Sequence, residues 1–270
     1  MPELAEVEYF RKQWAVALGE RVTAVQVNGA ARIFRGTDSA APAKALKGKP
    51  LSLASAHGKQ MLFRFGTTEW LGVHLGMAGK LAVAGKDHAA GPHEHLLLRT
   101  ARRTLVFSDY RMFGRVRHHS GSVPDWWRDL PPQPMDAGFT RERMEAFLDR
   151  RARAPIKAVL LMQEAFPGVG NWMADEILWR SRIRPDTTAG RIGPRKRGEL
   201  FKVIREVCDD ALRVIGTDWG DPPESWLFPH RWKDGGTCPK TGCPLRRETI
   251  GGRTTCWSPA WQRYGGKAEG

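Results

Sequence analysis

Residues 125–139, DWWRDLPPQPMDAGF, hold three prolines and three aspartates in fifteen positions and interrupt every hydrophobic period in their neighbourhood. Proline and aspartate clusters mark turns and connections. The stretch therefore reads as a linker, and the chain has opposite character on its two sides. Upstream, residues 3–18 read as an amphipathic helix, because Val7, Phe10, Trp14 and Leu18 recur at helical spacing while Glu3, Glu6, Glu8, Arg11 and Lys12 occupy the other faces. The period then shortens. Segments 21–27, 61–65, 70–75, 80–83, 95–99 and 104–107 are brief, rich in Val, Leu and Phe, and punctuated by Gly, Asp, Lys or His, which predicts strands of a sandwich or barrel. Downstream, segments 141–151, 156–164, 171–180 and 196–215 have helical patterning, with PGVG at 167–170 separating the middle pair. The expected architecture is α+β. An N-terminal helix and β-sandwich fill residues 1–124, the linker is 125–139, a helical domain is 140–216, and an irregular basic tail is 217–270.

The chain has 270 residues, a formal net charge of +14 and a sequence pI near 10.1. Such a field draws in polyanions and makes their binding salt-sensitive, so nucleic acid is the first partner to consider. No run of eighteen apolar residues occurs, and the first eighteen residues carry three glutamates where a secretory leader carries basic residues and an apolar stretch. A cytoplasmic, nucleoid-associated protein without a membrane partner is expected. Four cysteines, Cys208, Cys238, Cys243 and Cys256, suit a reducing compartment better than a disulfide framework.

Pro2 follows the initiator Met, and a small second residue permits removal of that Met, leaving a secondary amine at a helix start. An α-amine titrates near ~8, against ~10.4 for lysine, so a useful fraction is nucleophilic near neutrality. Attack by such an amine on a sugar C1′ gives an iminium directly. Glu3 lies beside it and Glu6 one turn on, where one carboxylate can move protons and the other hold the sugar or cation. Taken singly, Pro2 is also an ordinary helix-start proline and both acids ordinary surface glutamates.

The run PELAEVE at 2–8 resembles the N-terminal signature of the formamidopyrimidine-DNA glycosylase/endonuclease VIII family, PELPEVE, with Ala5 as the departure. HGKQMLF around Lys59, HLGMAGKL at 74–81, SDYRMFGRV at 108–116, GVGNWMADEIL at 168–178 and GGRTTCW at 251–257 follow in the family's order, so the resemblance spans nearly the whole chain. It implies a bifunctional DNA glycosylase and AP lyase of base excision repair, acting as a monomer on damaged double-stranded DNA in a basic cleft between the two domains. Pro2 is then the nucleophile, Glu3 the general acid/base and Glu6 a support for the flipped nucleotide. Lys59 approaches a phosphate and assists later steps. Met77, Arg111 and Phe113 fill the gap left by the everted base, where apolar wedges and an arginine offset lost stacking. This set resembles the purine-excising branch and implies 8-oxoguanine and formamidopyrimidines as substrates, with oxidised pyrimidines second. Met112 stands where members often carry a second arginine.

In the helical half, GVGN begins a helix whose amides at Gly170 and Asn171 form a ready phosphate site. The resemblance makes this the helix-two-turn-helix, with Lys157 adding charge and Glu176 either bracing the site or lying on the helix surface. Segment 221–232 occupies the place of a lesion-covering loop in some relatives. The finger departs most. Aligning Cys238 with the first zinc ligand of the C-x2-C-x16-C-x2-C pattern puts Thr241, Ser258 and Trp261 at the other three positions. The expectation is a zincless β-hairpin finger packed on Trp257 and Trp261, with no cofactor. A rewired zinc site of Cys238, Cys243, Cys256 and His230 is the alternative. Arg253 keeps the position of the family's phosphate-contacting finger arginine. Two rival functions are a non-catalytic binder of damaged DNA and a protein that binds structured RNA.

Overall fold

The computed structural model describes residues 1–264; the last six residues of the expected finger domain, 265–270, lie outside the described residues. The chain divides into two compact units, one of residues 1–2 and 6–130 and the other of residues 3–5 and 131 onward, so the boundary at Leu130 falls within the proline-rich stretch.

In the first unit, helix α1 (Leu4–Ala15) leads into two four-stranded antiparallel sheets. One has the order β1 (Ala24–Val27), β6 (Glu94–Arg99), β7 (Arg103–Ser108), β5 (Lys80–Gly85). The other has the order β2 (Leu51–His57), β3 (Gln60–Phe65), β4 (Glu69–His74), β8 (Arg115–Ser120). Their inward rows, among them Phe63, Phe65, Leu71, Leu96, Leu98 and Phe107, make one core that also takes Val7, Phe10 and Trp14 from α1. Trp14 is fully buried because its ring meets Phe63 and its indole N–H has an acceptor, the Val106 carbonyl at 3.3 Å. Helix α1 stops at Ala15, short of the expected end, so Leu18 is exposed. The first strand begins at Ala24 and not Arg21, which forms only an isolated bridge to Pro50.

Strands β2 and β8 and the short helix α2 (Ala41–Leu46) are absent from the sequence reading. Both strands are edges of their sheet, and RVRHHS on β8 buries only Val116 while its remaining side chains are polar. The first four residues of the expected linker form a single helical turn, α3 (Asp125–Arg128).

Glu69, at the start of β4, accepts from Lys49 at 2.8 Å, His118 at 2.8 Å and Ser120 at 2.6 Å. Burial opposes ionisation, but these donors outweigh it and bring the carboxyl down to about 2 from 4.5. A depressed carboxyl stabilises the fold above its unfolded pKa, and that contribution disappears as pH falls through the folded value. Between about pH 4.5 and pH 2 the unit should therefore lose about 2 kcal/mol, after allowance for solvent screening. Denaturant titrations across this range should show the loss in the native chain and a much flatter profile in Glu69→Gln.

The second unit is helical: α4 (Arg141–Arg150), α5 (Ile156–Leu160), α6 (Asn171–Arg180) and α7 (Pro194–Asp218). Its core joins Phe147, Phe166, Trp172, Ile177 and Ile204 with Leu4 and Ala5. Helix α5 ends at Leu160, four residues early, and irregular chain runs from there to α6. Helix α7 is longer than expected, with Pro194 in its first turn and Trp219 closing it in a left-handed conformation. A hairpin of β9 (Arg246–Ile250) and β10 (Arg253–Trp257) follows. No helix among the described residues is long and apolar enough to cross a membrane.

Candidate active site

In the second unit the site is built on the N-terminus of α6. Gly170 begins that helix without a side-chain cap of its own, leaving amides that need acceptors. Glu3 supplies them. Its Oε2 accepts from the Gly170 amide at 2.9 Å and the Met173 amide at 3.1 Å, and its Oε1 accepts from the Trp172 amide at 2.9 Å. The next residue is tied as well, with the Leu4 amide donating to the Gly168 carbonyl at 3.0 Å. Glu3 is only 3% exposed, and a β-carbon at position 170 would lie 2.2 Å from its Cδ. Glycine at 170 is what lets the carboxylate reach the helix end.

The Gly170 amide therefore does not stand open to a phosphate as the sequence predicts; it is taken by Glu3. The positive helix terminus is there as anticipated, but an acid of the same chain occupies it. Asn171 is half-buried, and its Nδ2 donates to the Thr254 carbonyl on β10 at 2.8 Å, joining α6 to the hairpin. Arg253, one residue earlier on the hairpin, is exposed.

Lys157 is also placed differently from the sequence reading. It is fully buried, with Nζ donating to the Asn171 carbonyl at 2.7 Å and Asp175 Oδ1 at 2.5 Å, so it positions Asn171 from below and presents no charge at the surface. Burial pulls its ammonium below the usual lysine range against the pull of Asp175. Asp175 is the unanticipated hub. Its other oxygen accepts from Arg231 Nη2 at 2.6 Å, Arg231 Nε at 3.1 Å and the Cys256 amide at 3.1 Å. One carboxylate thus connects α5, the 221–232 segment and the finger. Of the two roles open to Glu176, the buried brace is the one found: it accepts from Arg180 Nε at 2.9 Å and the Phe228 amide at 3.1 Å, and burial raises its pKa.

The finger cysteines do not converge. Cys238 is buried and Cys243 exposed, while Cys256 lies on β10 beside Asp175. His230 Nε2 contacts the Glu224 carbonyl at 2.8 Å. Among the described residues no group of three or more His, Cys, Asp and Glu is arranged to hold a metal. The positions aligned with the family's ligands nevertheless remain neighbours. Burial pushes the Cys238 thiol up, but Ser258, Thr241, the Trp179 indole at 3.4 Å and the Lys240 amide bring it down to about 7. The Ser258 hydroxyl is buried and has no partner at full hydrogen-bond geometry. Trp261 packs in the same small cluster, donating to the Trp179 carbonyl at 3.0 Å, with Arg182 3.6 Å over its ring.

In the first unit, Pro2 and Glu6 are half-buried at the start of α1, and Lys59 is half-buried in the two-residue turn between β2 and β3. Met77 and the pair Arg111 and Phe113 sit on two loops that touch. A β-carbon at Gly76 would lie 2.4 Å from the Phe113 backbone, so the turn after β4 packs directly on the loop before β8. Asp109, buried and unforeseen, shapes that loop by accepting from the Arg111 amide at 3.1 Å and the Gly114 amide at 2.7 Å. Arg111 stacks on Phe113 at 5.0 Å, and Phe113 is 48% exposed despite being aromatic. Met112, 38% exposed, has a positive φ of 53° and is also presented to solvent. An exposed aromatic with a stacked arginine on a loop fixed from behind is suited to enter a stack of bases.

Residues 1–116 match the family profile of the formamidopyrimidine-DNA glycosylase N-terminal domain, and residues 130–220 match its H2TH domain. A formamidopyrimidine-DNA glycosylase of Solibacter usitatus is 32% identical over 97% of this chain and 100% of its own length. One from Acidovorax ebreus is 34% identical with the same coverage. Among solved structures, Lactococcus lactis Fpg in complex with DNA containing an abasic site superposes with a TM-score of 0.87 at 26% identity, covering 97% of this chain and 99% of that one. The same enzyme with DNA containing an oxidised pyrimidine gives 0.86 at 26% identity, covering 97% and 100%. The chain belongs to the formamidopyrimidine-DNA glycosylase family and is a DNA glycosylase.

Proposed function

We propose that the chain excises oxidised bases from double-stranded DNA and then cleaves the strand, using the Pro2 amine exposed by removal of Met1. The observation that carries this reading is the clamp on the adjoining residues: three amides on Glu3 and one hydrogen bond from Leu4 fix the backbone next to the amine. A surface helix start needs no such anchoring. Pro2 nitrogen bonds to C1′, the glycosidic bond breaks with its electron pair leaving on the base, and the base takes up a proton. Opening of the sugar ring gives an iminium that acidifies C2′–H. Loss of that proton expels the 3′ phosphate, and a second elimination expels the 5′ phosphate. Glu3 serves as acid/base in this scheme, Glu6 supports the sugar, and Lys59 assists the eliminations at the phosphate. Met77, Arg111 and Phe113 hold the gap in the duplex, and Asn171 with Arg253 contacts the backbone. Oxidised purines, 8-oxoguanine and formamidopyrimidines, are the favoured substrates and oxidised pyrimidines the second class.

Borohydride trapping on an oligonucleotide bearing 8-oxoguanine or an abasic site tests the scheme. The native chain should form a covalent adduct, and Pro2→Gly or a form retaining Met1 should form none. An undiminished adduct in those forms moves the nucleophile to a lysine. No adduct and no base release from the native chain leaves a damaged-DNA-binding protein. The finger is proposed to hold without zinc, through the Cys238 hydrogen bonds and Trp261 packing. Elemental analysis of purified protein should find zinc far below one atom per chain, and about one per chain overturns this part.

A further inference from the structure

The outer face of the β2-β3-β4-β8 sheet carries an unusual set of neighbours. Gln60, His74 and Arg115 are cross-strand partners in one row, and Arg117 lies opposite Gly72 in the next row on the same face. Trp126 from α3 covers Gly72, and the Arg117 guanidinium lies 5.2 Å over its ring. Arg35 enters from the side, donating to the Gly114 carbonyl at 2.6 Å and the Phe113 carbonyl at 3.2 Å. These residues line a cavity of about 250 Å³.

Three guanidiniums line it, and among the described residues no carboxylate pairs with any of them. The Arg115 side chain makes no hydrogen bond, and its Nε is buried without an acceptor. Burial and the charges of Arg115 and Arg35 pull the Arg117 pKa down. His74 adds no charge, because burial and the nearby Lys59, Arg117 and Arg35 hold its pKa down to about 4, and its Nδ1 accepts the Gly76 amide at 3.0 Å. Like charges on adjacent sheet positions repel, and a buried polar group without a partner costs more than a paired one. Both penalties vanish when an anion enters. Arg35 keeps both Nη atoms on backbone carbonyls, so Arg115 and Arg117 supply the open donors, and two neighbouring guanidiniums suit a phosphate, whose several oxygens can accept from both at once.

We infer that this cavity, lined by Arg35, Arg115, Arg117, His74 and Trp126, is a phosphate-binding subsite on the outer sheet face. Arg35 couples it to the 109–114 loop through the Phe113 and Gly114 carbonyls, so occupancy steadies the loop that carries Arg111 and Phe113. The phosphate comes either from the DNA backbone, an assignment that rests on the reading above, or from a free phosphate in solution.

The test compares the full native chain with Arg115→Gln/Arg117→Gln and with the charge-matched Lys47→Gln/Arg102→Gln, in which both replaced side chains are exposed. Affinity for an undamaged duplex is measured against salt concentration, and inorganic pyrophosphate binding by calorimetry. A backbone phosphate in the cavity makes the log affinity against log salt slope shallower by about 1 to 2 in the cavity variant relative to the control. A free phosphate shows as pyrophosphate binding that the cavity variant loses and the control keeps, with equal salt slopes. Equal slopes together with no pyrophosphate binding overturn the inference. Arg115→Gln alone, which removes no hydrogen bond, should melt at or above the native temperature and serves where the double variant folds poorly. Because no lesion is involved, failure here leaves base release by the native chain intact, and failure of the glycosylase reading shows only in the loss of base release.

Discussion

Gly170→Ala should lower single-turnover base release about 100-fold or more while leaving a folded protein. The added β-carbon would fall 2.2 Å from Glu3 Cδ, 2.4 Å from Oε1 and 2.5 Å from Cγ. Glu3 has no easy retreat, since its carboxylate is buried and both oxygens are held by amides of α6. Either the side chain leaves, stranding the Trp172 and Met173 amides, or segment 168–173 shifts with it. Both displace the backbone next to Pro2, and misplacement of a reacting group by about 1 Å costs on the order of 100-fold in rate. The stability cost is smaller, about 1 to 3 kcal/mol from overpacking and a weakened helix cap. In a Glu3→Gly background the same substitution should cost less than about 1 kcal/mol, because the clash has no second partner. Near-native rates in Gly170→Ala, measured with enzyme in excess over an 8-oxoguanine duplex, would falsify the clamp as the basis of the site.

That clamp also marks where sequence reasoning stops. A helix beginning at Asn171 is legible, because GVGN breaks the preceding period and NWMADEIL restores it, and the structure starts α6 at that residue. That its first amides attract an anion follows from helix physics. Which anion occupies them does not, since Glu3 is 167 positions away and the pattern around it is that of a surface helix. Lys157 and Asp175 present the same difficulty. Each fits a solvated helix face by spacing, and only the packing of α5, Arg231 and β10 around them shows that both are buried. Strand β8 escapes notice because one face is arginine and histidine, and those arginines line the cavity proposed to bind phosphate. The finger was legible in composition alone: vacated ligand positions could be counted, but not that Thr241 and Ser258 still adjoin Cys238.

Asp175→Ala should destabilise the second unit by about 3 to 5 kcal/mol, the cost of removing one partner from a buried ionic network. Asp175 is 1% exposed and faces two cations that are scarcely more accessible, Lys157 at 0% and Arg231 at 6%. With the carboxylate gone, neither keeps a carboxylate partner; Lys157 retains only the Asn171 carbonyl and sheds its proton more readily. The Cys256 amide also loses its acceptor, so the hairpin is released at the same time from the position where Thr254 meets Asn171. Equilibrium unfolding in urea gives the magnitude, and the compensating change identifies its origin. Lys157→Met in the Asp175→Ala chain removes one stranded charge and fills the space with an apolar side chain, so it should recover at least about 1 kcal/mol. On the native background the same Lys157→Met leaves Asp175 paired with Arg231 and should be the milder single change. A loss below about 1 kcal/mol in Asp175→Ala, or a double variant weaker than the single one, would mean that water reaches this carboxylate and that α5, the 221–232 segment and the finger are held together by their apolar contacts instead.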